Sequence, residues 1–553
     1  MTALFDIFGF LSVVLRGLDF VAQSVLIGSV SFALFVAVPL ARDSQREGGA
    51  VCAGTRRIIQ VAALAVVAAA IATTALGAVV LASSLAIPWH EVIGAGFVVA
   101  GGIQVVAAAA VVWVVSMRPL EAASTRVAIG VAAAFVLYGA LANSHAVARL
   151  GDSRLLMLAT GAHALGAAVW LGGLPCFRLA LRRAQTREVA SRIGRRFSPL
   201  ALGGVALIFG GALVFAVMYV GSIDATYGTA YGAMAVAKSI LFAILLLLGL
   251  ANFRAVRGFA ADGAAIERVR RFVEVEMGVG FAVLMAAASI TSLPPAVDLV
   301  EDRVAISDVL VRMTPTLPRL SSPDHAALAF SELQARIDDE ALTEQRSTRV
   351  PAFVPGSGAL PPRNAFDIAW SEYNHHWAGL LVAMMGLAAL AQRSGRASWA
   401  KHWPLLFLLL AAFLFVRADP EIWPMGEIGL IESLKDPEVA QHRLFVVLIV
   451  AFAFFEWGVR TGRIASRRLA LVFPLLVALG GTLLLTHSHA LGNVKEELLI
   501  ELTHLPIAVL GVTAGWARWL EVKAPEAEGR WAGWLWPGCF VLIGLLLLGY
   551  REA

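Results

Sequence analysis

The stretch LALVFPLLVALGGTLLLTHSHALGNVKEELLIELTHLP, residues 469–506, decides how this chain is read. From Leu469 to Leu485 it is apolar and long enough for most of a membrane crossing; a polar turn follows, and a second apolar run opens beyond Lys495. His487 and His489 close the first run. Glu497, Glu501 and His504 open the second at spacing i, i+4, i+7, which lines one face of a helix. An ionisable group inside a membrane helix costs about 2.5–3.5 kcal/mol on insertion scales, so such groups usually face a bundle interior and mark an ion or ligand path. The plainer reading is that glutamates complement the dipole at a helix start and histidines sit in headgroup water. It serves Glu496 and Glu497 better than Glu501 and His504, which lie deeper.

The rest of the chain has the same character. Of 553 residues, 59% are hydrophobic and 15% charged, and the mean hydropathy of +0.77 lies outside the soluble class. Apolar runs of spanning length recur to the end, about fourteen by the ~17–25-residue criterion. The expected fold is therefore all-α, a polytopic membrane bundle. The first run, near Leu18 to Leu40, is too long and too closely followed by others for a cleaved signal peptide. Cys52, Cys176 and Cys539 form no redox or metal-type pair. The net charge of +5 is accounted for by basic cytoplasmic loops and calls for no nucleic acid. With no phosphate loop, nucleophile elbow or Ser/His/Asp set, the sequence points away from an enzyme.

Arginine and lysine set the orientation. Basic clusters follow every odd-numbered run: Arg42 to Arg57, Arg118 and Arg126, Arg178 to Arg196, Arg254 to Arg271, Arg393 to Lys401, Arg460 to Arg468, and Arg518 to Arg530. These loops are assigned to the cytoplasm, which puts both termini outside. On this map His90, His145, His325, His375, His376, His442, His487 and His489 fall at the outer side. His163 and His504 lie about 12 Å in from it, at 1.5 Å per helical residue. Only His402 is cytoplasmic. The asymmetry implies that the outer half handles something that binds imidazole, most commonly a metal ion. Met157, Met218, Met234, Met313 and Met425 lie on or near the same side; thioether with imidazole suits copper, although methionine is also ordinary core filler.

The segment from Leu293 to Asn374 divides the chain and is too proline-rich for continuous regular structure. Within it, Asp324 to Arg346 reads as a short amphipathic helix. Three parts are expected: a membrane domain over 1–295, a periplasmic segment over 296–372, and a histidine-rich six-helix membrane domain over 373–553.

Two blocks carry a resemblance. The first is SHAVARLGDSRLLMLATGAHALGAAVWLGGL (Ser144–Leu174). The second runs from RRFSPLALGG at Arg195 through TYGTAYGAMAVAK to the double proline ending at Pro295, with Tyr231, Gly232 and the intramembrane Lys238. Together they resemble the copper resistance protein D family. The resemblance implies a bacterial inner-membrane protein that moves copper, as Cu⁺ or Cu²⁺, from periplasm toward cytoplasm, with a periplasmic copper chaperone as partner. The last third of the chain resembles the C-terminal extension of longer members, for which no residue roles carry over.

From the residues themselves, the candidate metal ligands are His145, His163, His375, His376, His442, His487, His489, Glu501 and His504. Asp19, Met157, Lys238 and Glu497 are candidate pathway groups. Lys238 could set the field along a path or simply bond to backbone carbonyls. Trp170, Trp377 and Trp423 read as interfacial belt residues, and Glu274 and Glu276 as surface ion pairs. The alternative class is a haem b carrier, with His442 and His504, or His145 and His163, as axial pairs. A third is an assembly partner for a periplasmic cuproenzyme.

Overall fold

A computed structural model of the chain describes residues 2–85, 87–148, 152–260, 262–300, 303–323, 365–417, 422–426, 428–434, 437–486 and 494–552; within these, the side chains of 2–7, 145, 148, 365–367, 437–438, 440–442, 494–497 and 527 are outside the description. Among the described residues the structure is mostly helical and contains no strand, only an isolated bridge between Ile422 and Ile428. Lipid offers backbone N–H and C=O groups no partners, so a chain this apolar must satisfy them within each segment, as a helix does.

The long helices are α1 (Thr2–Phe32), α2 (Gln45–Leu85), α3 (Gly96–Met117), α4 (Ala123–Ala142), α5 (Ser153–Ala167), α6 (Arg187–Phe215), α7 (Ala230–Arg257) and α8 (Gly263–Ile290). After the dividing segment come α9 (Ala365–Arg393), α10 (Leu406–Arg417), α11 (Pro437–Arg460), α12 (Val472–Leu484), α13 (Val494–Lys523) and α14 (Ala532–Leu548). Among the described residues, ten helical stretches are long and apolar enough to cross a membrane, and Leu469–Leu484 and Ala532–Leu548 are shorter apolar helices. The expected all-α polytopic bundle is what the chain forms. The amphipathic helix expected at Asp324 to Arg346 lies outside the described residues.

The contacts divide the chain into two compact units, the first built from α1–α8 and the second from α9–α14 together with residues 300–323. In the first unit three π-turns, Ala33–Ala37, Ala168–Gly172 and Ala216–Val220, interrupt or extend α1, α5 and α6. A π-turn inserts one residue and rotates everything beyond it, and such turns are frequent at functional sites. At the second of them the backbone lies directly against α1: a Cβ on Gly172 would stand 1.8 Å from the Ser24 carbonyl oxygen, and one on Gly28 would stand 2.2 Å from the Ala168 oxygen. Only glycine permits that approach, the small-residue packing by which helices associate where water supplies no driving force. In the second unit α9 and α14 meet the same way, since a Cβ on Gly544 would stand 2.3 Å from the Ala383 nitrogen.

Candidate metal centre

In the second unit α9 carries His375 and His376, and α13 carries Glu501 and His504. The His375 Nδ1–H donates to the Ser371 carbonyl at 2.8 Å, and the His504 Nδ1–H donates to the Ile500 carbonyl at 2.7 Å. Each acceptor is the carbonyl four residues back on the same helix. Each bond fixes the same tautomer, in which Nε2 carries the lone pair. The two rings meet edge to face with centroids 5.9 Å apart. Tyr550 stacks on His375 at 4.0 Å and meets His504 at 6.0 Å.

His376 differs, as adjacent positions on a helix must. It is fully buried; its Nδ1 accepts from the Arg319 backbone N–H at 2.7 Å and its Nε2–H donates to the Tyr550 carbonyl at 2.8 Å. Both nitrogens are committed to main chain, so this histidine ties chain segments together and has no lone pair left for a metal.

Around the histidines lies a charged cluster from remote parts of the sequence. Arg312, on the short helix Ile306–Met313, donates to the Tyr550 hydroxyl at 2.9 Å, lies over the Tyr550 ring, and stands 3.9 Å from the Glu552 carboxylate. The Ser371 hydroxyl donates to the same carboxylate oxygen, Glu552 Oε2, at 2.7 Å. Arg319 pairs with Glu372 at 3.6 Å. The cationic Arg312 is thus countered by Glu552, which lowers the cost of a further cation nearby. Glu501 is buried on α13, three residues before His504.

In the first unit the His163 Nδ1–H donates to the Ile208 carbonyl at 2.9 Å, and the ring packs against Phe215. Its tautomer is again the one that leaves the lone pair on Nε2. Lys238, however, lies within electrostatic reach of this ring. A protonated lysine there opposes a metal cation, and among the described residues no carboxylate forms an ion pair with it. Met157 precedes His163 by six residues, about 240° around a helix at 100° per residue, so the two do not share a face. Asp19 is buried on α1 and accepts from the Gln23 amide; Arg16 nearby donates to the Thr291 backbone and hydroxyl oxygens.

His487 and His489 lie outside the described residues, as do the side chains of His145, His442 and Glu497. Among the described residues no group of three or more His, Cys, Asp or Glu side chains could hold a metal ion. The structure therefore brings two imidazoles together in the second unit, His375 and His504, whereas His163 belongs to the first. The axial pairs considered for haem each include a side chain outside the description.

Two polar clusters were missed by the sequence reading. Trp170 is 2% exposed, so it is no belt residue: the π-turn Ala168–Gly172 aims its indole inward, where Nε1–H donates to Glu276 Oε1 at 2.7 Å. Glu276 is likewise 2% exposed and accepts at Oε2 from the Asn252 amide at 2.6 Å. It is no surface ion pair, whereas Glu274, two residues earlier and turned to another side, does pair with Arg178 and Arg182. The signal was available: Glu276 stands inside an apolar run next to Gly278 and Gly280, and an intramembrane carboxyl is by default an internal one. In the second unit Arg460 bonds Glu456 at 2.6 Å and lies between the rings of Trp403 and Trp536, 5.1 and 5.2 Å away. Arg393, Arg518 and the Trp536 indole converge on Glu521 beside it.

Fold and sites together define a multi-pass α-helical membrane protein with paired imidazoles and buried carboxyls between its helices. Residues 191–290, covering α6 to α8, match the family model described as Copper resistance protein D. The match falls on the block from Arg195 to Pro295 that carried the resemblance to this family, and α9–α14 lie outside it. A curated relative, Copper transport protein CutJ of Bacillus subtilis (strain 168), is 35% identical over 135 residues, a match that spans 24% of this chain and 24% of that relative's length. No solved structure matches the chain.

Proposed function

We propose that this protein resides in the bacterial inner membrane, takes up copper from the periplasmic side and passes it across or onward, acting as a carrier and not as an enzyme. The single observation behind this reading is the His375–His504 pair. Metal-binding histidines nearly always commit their second nitrogen to a carboxylate, a carbonyl or water, which fixes the ring and raises the basicity of the ligating nitrogen. Both rings carry that feature. Two imidazoles without an anionic ligand suit copper better than a hard cation, and the cuprous ion accepts low coordination numbers. In this reading a third ligand comes from His442, His487 or His489, and Glu501 accepts protons as ligands deprotonate. His145 and His163 with Lys238 belong to the passage through residues 1–295, and a periplasmic chaperone hands copper to residues 296–553.

The test is copper content and uptake by the full-length protein. Purified wild type equilibrated with Cu⁺ under reducing conditions should retain copper by elemental analysis, and H375A/H504A should lose it while remaining monodisperse. Cells or proteoliposomes carrying wild type should accumulate copper faster than those carrying the double variant. Equal copper content in the two proteins would overturn the site, and equal accumulation would overturn the transport reading.

A further inference from the structure

The first unit contains a carboxyl that the copper reading does not use. Glu276 sits near the middle of α8, buried, with Trp170 Nε1–H at 2.7 Å on one oxygen and Asn252 Nδ2–H at 2.6 Å on the other. No cation is paired with it among the described residues. Each element packed around it directs its charges elsewhere. On the Leu174–Arg183 helix, Arg178 and Arg182 turn to Glu274. On α1, Arg16 reaches Thr291 and Asp19 is held by Gln23. On α6, which packs on the π-turn, Arg192 and Arg196 face Asp43. On α8 itself Arg270 pairs with Glu267. On α7, Lys238 lies fourteen residues from Asn252, roughly 21 Å along the axis.

The two partners differ in what they can do. An indole N–H can only donate, and it serves either oxygen of a carboxylate or the carbonyl of a carboxylic acid. An amide has both a donor and an acceptor. Asn252 now offers its N–H to Glu276, and its Oδ1 is buried with no hydrogen-bond partner among the described residues. A buried carbonyl oxygen of this kind costs about 1–3 kcal/mol if nothing ever bonds it. Turning the amide by half a revolution brings Oδ1 to face Oε2, where it would accept from a carboxylic O–H. One pair of residues thus holds both protonation states of the same carboxyl, each fully bonded on the Glu276 side. Gly249 keeps the indole side of the carboxyl uncrowded: a Cβ there would stand 3.2 Å from Trp170 Cζ2 and 3.6 Å from Glu276 Oε1.

We propose that Glu276 is a proton-exchanging site in the interior of the first unit, with Trp170 as its fixed donor and the Asn252 amide turning to serve the carboxylate or the acid. The ligand is the proton, delivered by water. An O–H bond forms on Oε2, the charge on the carboxyl disappears, and nothing is oxidised or reduced. The inference rests on the geometry of this unit alone and stands whether or not copper is the cargo.

Infrared difference spectra of the full-length protein in lipid, recorded between alkaline and acidic pH, test it. Wild type should show a protonated-carboxyl C=O band that grows on acidification and moves in D₂O, and E276Q should lack that band. N252L and W170F keep the carboxyl but remove one partner each, so each should retain the band at a displaced frequency; they carry the test if E276Q does not fold. A wild type without a pH-dependent band absent from E276Q would overturn the proposal. So would a band that ignores D₂O, or one whose frequency is the same in N252L.

Discussion

Two adjacent histidines on α9 should separate stability from metal binding. In H376A the Tyr550 carbonyl loses its donor in a buried setting, at a cost of about 1–3 kcal/mol, and the Arg319 N–H, nearer to solvent, loses its acceptor at a cost of about 0.5–1.5 kcal/mol. The sum is roughly 1.5–4.5 kcal/mol of lost stability in the unit that holds the Tyr550–Glu552 segment. Copper affinity should weaken by less than about tenfold, through the looser seating of Tyr550 against His375. H376Q should recover part of the loss, because glutamine can both accept from Arg319 and donate to Tyr550. H375A does the reverse. Removing a group that merely supports a ligand costs 10–100-fold in metal affinity, so removing the ligand should cost at least about 100-fold, or about 2.7 kcal/mol. Thermal unfolding in detergent reads the first quantity, and competition for Cu⁺ with a chromogenic chelator reads the second. The reasoning fails if H376A abolishes copper binding at unchanged thermal stability, or if H375A binds copper like wild type.

R460M leaves Glu456, itself fully buried, as an uncompensated charge and should destabilise the protein by about 3–5 kcal/mol, with E456Q in the double variant restoring much of it in a thermal double-mutant cycle. G172A places a methyl group inside the α1 backbone and should cost at least the 1–3 kcal/mol of ordinary overpacking, seen as loss of the monodisperse peak in size-exclusion chromatography. R178A opens a partly exposed pair with Glu274 and should change thermal stability by no more than about 1 kcal/mol, since such pairs are weak. Purified protein should show no Soret band, and a haem stoichiometry near one would favour the electron-carrier class over copper.

The helical bundle was legible because its cause is composition: where backbone groups have no solvent partner, apolar length translates directly into helix. The clustering of histidines along the chain was legible for the same one-dimensional reason. That both nitrogens of His376 are committed was not, since that depends on Arg319 and Tyr550, segments more than fifty residues away on one side and more than 170 on the other. The position of Trp170 shows the other limit. Counting in helical turns from His163 puts both residues on one face, but a π-turn inserted between Ala168 and Gly172 shifts that register, and nothing in the local composition announces it. Glu276 shows a third limit: its neighbour Glu274 forms an ion pair, yet two residues along a helix turn a side chain to a different side, and Glu276 bonds Trp170 in the interior.

The glycine contact between α1 and the end of α5 also limits how the first unit can work. Where two main chains touch without intervening side chains, neither helix can roll or slide past the other without breaking the contact, so they travel as a single strut. Under the proposed passage of copper, any rearrangement of this unit therefore hinges at a different seam, among helices whose side chains still separate them.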